Sequence, residues 1–144
     1  MIDKTKQYWT GDGPDDIDEY LRLYTREKAL EVKPVICRKC EGDVFRVLLD
    51  PDEGVIQVIC PNCGTEKLLL DSGEYWEDAQ PEKWECPVCG GNDTCSVRVG
   101  LSRGGSGSVR WVTIGTRCTV CGTLGSPLDW EINYEPTDEM EKEI

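Results

Sequence analysis

Cys60-Pro61-Asn62-Cys63-Gly64-Thr65 and its counterpart Cys118-Thr119-Val120-Cys121-Gly122-Thr123 decide how this chain folds. Each follows an earlier pair, Cys37-Arg-Lys-Cys40 or Cys86-Pro-Val-Cys89, so four CxxC pairs occur with 19, 22 and 28 residues between successive pairs. A CxxC turn aims two sulfurs at one ion, and glycine directly after the pair (Gly64, Gly90, Gly122) supplies the left-handed backbone that the turn needs. Two facing turns close a tetrahedron of thiolates, with zinc–sulfur distances of about 2.3 Å.

Between the pairs lie the signatures of hairpins. Branched residues over 44–49 and 55–59 flank the turn Asp50-Pro-Asp-Glu-Gly54, and a third short strand is predicted over 67–70. The plan repeats with strands over 95–101 and 109–117 around the Gly/Ser-rich loop 102–108. Because each half carries its own hairpin, sequential pairing is favoured. It puts Cys37, Cys40, Cys60 and Cys63 on one ion and Cys86, Cys89, Cys118 and Cys121 on the other; an interleaved arrangement would join the first pair to the third. The ninth cysteine, Cys95, shares the parity of Val97, Val99 and Leu101 and reads as a buried apolar thiol, with a redox-sensitive spare thiol as the alternative.

Two CxxC knuckles bracketing a β-hairpin resemble the zinc-ribbon families, and the resemblance extends over both halves. It implies a small, metal-stabilised, mainly β fold of two tandem zinc ribbons, each a three-stranded antiparallel module, over residues 35–70 and 84–134, with two Zn²⁺ as cofactors. The second half is also similar to rubredoxin, which implies iron as the alternative metal. Ribbons of transcription elongation and RNA polymerase subunit families carry an Asp-Glu pair at the hairpin tip. Loop 102–108 has no carboxylate, and Asp52-Glu53 in the first tip reads as an ordinary turn.

The flanking segments read differently. Pro14, acids at 15, 16, 18 and 19, and Ile17, Tyr20, Leu21 and Tyr24 at i, i+3, i+4, i+7 predict one N-terminal amphipathic helix over about 14–31, within an N-terminal segment 1–34. Residues 71–83 are expected to be an acidic linker, and 135–144 an acidic disordered tail. The N-terminus shows no secretory pattern and no apolar run approaches the ~20 residues of a membrane span, so a cytoplasmic protein without membrane association is expected. Thiols stay reduced there, which favours metal over disulfides.

With a formal net charge of −12, general attraction to nucleic acid is disfavoured. Only residues 86–128 are basic, holding four arginines against Asp93 alone. Arg98, Arg103, Arg110 and Trp111 are therefore the candidate nucleic-acid contacts, on the second ribbon only. Four thiolates leave zinc no open coordination position, and the chain has no histidine, so a non-enzymatic role is expected. The leading expectation is a protein-interaction or adaptor module, regulatory or inhibitory through its acidic surface. The alternatives are binding of nucleic acid or transcription machinery, and a rubredoxin-like electron carrier.

Overall fold

The computed structural model describes residues 1–144 as a mainly antiparallel β structure with one N-terminal helix. Helix α1 spans Asp16–Thr25, and the strands are β1 (Glu31–Pro34), β2 (Val44–Asp50), β3 (Val55–Ile59), β4 (Glu66–Leu68), β5 (Glu82–Lys83), β6 (Cys95–Arg103), β7 (Val109–Cys118) and β8 (Leu124–Glu131). Two short helices, α2 (Ser72–Tyr75) and α3 (Asp138–Glu141), complete the chain. The sheet runs β4-β3-β2-β6-β7-β8, so two three-stranded antiparallel units, each with its first strand innermost, meet at β2 and β6.

That seam is short. Val44 pairs with Ser96 and Phe45 with Cys95; beyond them β2 takes β5 as its partner and β6 takes β1. Alternation directs Phe45, Val47 and Leu49 of β2 to the same core as Cys95, Val97, Val99 and Leu101 of β6. Ile56 and Val58 of β3, Ile114 of β7 and Leu128 of β8 join them in one cluster of 20 buried residues. The two units therefore share a single core.

The opposite face of β6 and β7 receives α1. A ten-residue helix is marginal alone, and this one is held by Ile17 and Leu21, both fully buried. Full burial of each is worth about 1.5–3 kcal/mol. The dent that receives them exists because Gly115 has no side chain: a Cβ there would lie 2.5 Å from Ile17 Cγ2 and 3.0 Å from Leu21. Arg98, on the same face, donates to both carboxylate oxygens of Asp18 at 2.9 and 3.0 Å and to Asp15 at 3.0 Å. Burial of Ile17 and Leu21 and an ion pair thus fix the same helix.

Three sequence expectations are corrected. The helix expected over 14–31 ends at Thr25, where Arg26 turns left-handed with φ 62°, and residues 31–34 pair as β1 with Leu101 to Arg98. Sheet-edge pairing, with Leu30 buried against Gly100, outweighs the helical pattern there. The expected linker 71–83 is structured: Ser72 is fully buried, its hydroxyl accepts from the Ile56 N–H at 2.9 Å, and Glu82–Lys83 add to the sheet. The tail expected to be disordered carries α3. Thr137 is buried and accepts from the Val109 N–H at 3.0 Å, Met140 enters the core, and the Leu70 N–H donates to the Glu143 carbonyl at 2.7 Å.

Candidate metal centres

All four CxxC turns are built alike in one respect: the first cysteine of each pair (Cys37, Cys60, Cys86, Cys118) is buried and the second is more exposed. In three of them the local hydrogen bonds are the same. The first cysteine's N–H donates to the carbonyl five residues on (Gly42, Thr65 or Thr123, 2.8–2.9 Å). The residue four positions on (Glu41, Gly64 or Gly122) donates back to the cysteine carbonyl at 2.8–3.0 Å. That donor needs positive φ, which is 64° at Glu41 and 77° at Gly64 and Gly122. The turn Cys86–Asn92 accommodates one extra residue, with the Cys86 N–H donating to Asn92.

A left-handed backbone costs a residue with a Cβ roughly 1 kcal/mol. Glu41 is the one knuckle residue that bears this strain. Glu41→Gly is expected to raise stability by about 0.5–1 kcal/mol without changing metal content, measured as a shift in the urea midpoint.

The sulfurs meet in two groups in sequence order: Cys37, Cys40, Cys60 and Cys63, and Cys86, Cys89, Cys118 and Cys121, each with its ligand atoms all within 4.8 Å of one another. Close approaches are Cys37–Cys63 at 3.5 Å, Cys40–Cys60 at 3.4 Å, Cys86–Cys121 at 3.6 Å and Cys89–Cys118 at 3.7 Å. A disulfide would need about 2.05 Å. A tetrahedral ion with bonds of about 2.3 Å needs sulfurs about 3.8 Å apart, close to these separations. The donor set and its spacing fit a metal ion in each group, with zinc and iron both compatible with four thiolates.

Around the sulfurs are groups that stabilise thiolate, several of them unforeseen from the spacing. The hydroxyls of Thr65 and Thr123 lie 3.1 and 3.0 Å from Cys63 and Cys121, placed to donate to them. Asn92 donates its amide N–H to Cys118 Sγ at 2.9 Å, and the Val120 N–H donates to the same sulfur at 3.4 Å. The Gly-Thr after both later pairs was the available signal for the threonines.

These donors separate the thiols. The Thr65 hydroxyl, with the Thr65 N–H, lowers Cys63 to about 6. Burial opposes ionisation of Cys118, but the N–H groups of Cys121 and Val120 and the Asn92 amide together outweigh it, and Cys118 also falls to about 6. Burial and the neighbouring sulfurs push Cys89 up to about 12; Cys60 rises to about 11, the Cys63 N–H opposing and burial and the Cys40 thiol prevailing.

At neutral pH, then, Cys60 and Cys89 must each give up a proton when an ion binds. Ion affinity is expected to rise with pH by about tenfold per unit for each proton displaced, and to fall correspondingly on acidification. Loading monitored with a pH indicator should release at least one proton per site; no release would contradict this protonation pattern.

Cys95 belongs to neither group. It faces Cys118 across the β6–β7 ladder, is fully buried, and burial followed by the nearby Cys118 charge drives its thiol upward, keeping it protonated.

The candidate nucleic-acid residues are brought onto the second unit but are engaged within the chain. Arg98 is held by Asp18 and Asp15, Arg103 by Glu31 and Glu141, and Arg110 by Glu135 at 3.0 Å. Arg117 donates to the Gly11 carbonyl at 2.8 Å. Trp111 is 41% exposed, but its indole N–H points to Asp129 at 3.3 Å. The tip residues Asp52 and Glu53 are exposed, while Asp50, the buried acid of that turn, accepts from the N–H groups of Asp52 and Gln80.

No helix is long and apolar enough to cross a membrane. No protein-family model matches the chain, and comparison with curated proteins and with solved structures gives no match.

Proposed function

We propose that the chain is a non-enzymatic zinc protein in which two structural Zn²⁺ ions fix a pair of zinc ribbons as a module for binding other proteins. The observation that carries this reading is the closure of both sulfur groups. Four cysteines in each supply all four positions of a tetrahedral ion, so none is left for water or substrate. Each ribbon is read as one three-stranded unit, β2-β3-β4 or β6-β7-β8, with its ion at the knuckles.

A protein partner is favoured over nucleic acid by the fate of the arginines. Each of the four is paired with a carboxylate or a backbone carbonyl of the chain itself, and the net charge is −12. A phosphate backbone would have to displace those partners one by one. Zinc is favoured over iron because the second half has few aromatics, and its Cys-Pro-x-Cys-Gly stands in the first knuckle rather than the second.

Elemental analysis of purified protein is expected to give two zinc ions per chain and a colourless solution; red protein containing iron would replace this reading with electron transfer. Anisotropy of a labelled single-stranded oligonucleotide at low salt is expected to stay at the free-probe value. Saturable binding abolished by Arg98→Glu, Arg103→Glu and Arg110→Glu together would replace it with a nucleic-acid role.

A further inference from the structure

Three of the nine large apolar residues left exposed, Tyr8, Leu23 and Tyr24, lie together around one trough. Residues 7–9 run beside the start of β8, where the Leu124 N–H donates to the Trp9 carbonyl at 2.8 Å and Thr10 bridges to Thr123. Helix α1 lies alongside. Between them is a trough of about 200 Å³ walled by Tyr8, Trp9, Tyr20, Leu23, Tyr24 and Leu124. It shares Tyr8, Tyr20 and Leu124 with a second cavity of about 320 Å³ that continues past Trp84, Pro87 and Pro127.

The rings in the trough are ordered against one another. Trp9 meets Tyr20 edge to face at 6.1 Å and 86°, and Tyr20 stacks on Tyr24 at 6.1 Å and 24°. Tyr8, Leu23 and Tyr24 are nevertheless 45%, 43% and 51% exposed, a large apolar area for one end of a short helix and its neighbour. A cation already uses this site from within the chain: Lys4 Nζ sits 5.3 Å from the centre of the Trp9 ring. The aromatic face therefore accepts an ammonium group, as the ring quadrupole requires.

Charge points the same way. Asp15 and Asp18 are neutralised by Arg98, and Asp16 by the N-terminal amine. Glu19, beside Tyr20 and one helical turn before Leu23, is exposed and makes no ion pair. The whole molecule, at −12, attracts positive partners and repels acidic ones. Two open, adjoining cavities lined by aromatic rings and prolines suit an extended chain rather than a globular surface.

We propose that this trough binds an extended, arginine- or lysine-bearing segment of a partner protein, its cation taking the Trp9 face in place of Lys4 and its backbone lying along the second cavity. The proposal rests on the protein-binding reading above and names its surface and the chemistry of its partner.

The test uses the full zinc-loaded chain and a fluorescein-labelled eight-residue peptide of alternating arginine and proline, with the alternating glutamate–proline peptide as control, read by anisotropy. The basic peptide is expected to bind saturably and the acidic one not to bind. Tyr24→Ala and Glu19→Lys, both at exposed positions, should each weaken binding at least tenfold, while Glu139→Lys, an exposed acid on α3, should change it less than twofold.

Absence of binding, equal binding of both peptides, or equal losses for Glu19→Lys and Glu139→Lys would overturn the proposal; the last would mean diffuse charge attraction. A dimer in sedimentation that Tyr24→Ala dissolves would overturn it in favour of a second copy in the trough. Metal analysis and the oligonucleotide assay on the same samples keep the two claims apart: a colourless two-zinc protein that ignores both peptide and oligonucleotide loses the trough but not the interaction role.

Discussion

Cys63→Ser is expected to yield protein with one tightly held metal ion instead of two, and with the β2-β3-β4 unit unfolded. An ion closing each sulfur group would supply on the order of 10 kcal/mol of apparent folding free energy, comparable to the whole stability of a domain this size. Cys121→Ser should do the same to the other group, because the sulfurs assemble in sequence order without sharing ligands. Elemental analysis counts the ions and circular dichroism the strands. Since both units contribute to one cluster of 20 buried residues, the damaged variants should also bind a hydrophobic dye strongly. Loss of both ions from a single substitution would mean that the shared core, not the ligand set, governs ion retention.

Gly115→Val should dislodge α1 while leaving both ions in place. The added side chain would occupy the space where Ile17 Cγ2 lies 2.5 Å from an ideal Cβ. Overpacking of this kind costs about 1–3 kcal/mol, and the helix would also lose its alignment with Arg98. The variant should show a lower urea midpoint and rapid proteolysis within residues 13–30, at two ions per chain. Combining it with Ile17→Ala should cost clearly less than the sum of the single changes, because the two side chains compete for one space. Additivity would place the strain elsewhere.

What could be read from the sequence was what is local. The knuckles, the β2–β3 hairpin and the in-order grouping of cysteines follow from spacing within some thirty residues, where a hairpin brings its own ends together. β1 was hidden because Tyr20 and Tyr24 extend a helical rhythm toward Leu30, although Glu31 and Lys33 alternating with Val32 also fit a strand. The ordering of residues 135–144 is not legible because so acidic a segment reads as unable to bury anything; Thr137 and Met140 suffice once the core offers them a place. The arginines misled for a different reason: the acids that engage Arg98 lie 80 and 83 positions away, and no local pattern records such a pairing.

Residues 137–143 close over a core that opens with Val35, and this sets an order of events as the chain is made. A chain growing from its N-terminus releases Cys37 to Cys63 long before Met140. The first sulfur group could take an ion at once, yet the surface beneath it would stay open until the second unit had formed and residues 137–143 had joined Glu143 to Leu70. For that interval the half-covered unit would be open to aggregation, and shielding it would fall to whatever meets the chain as it emerges.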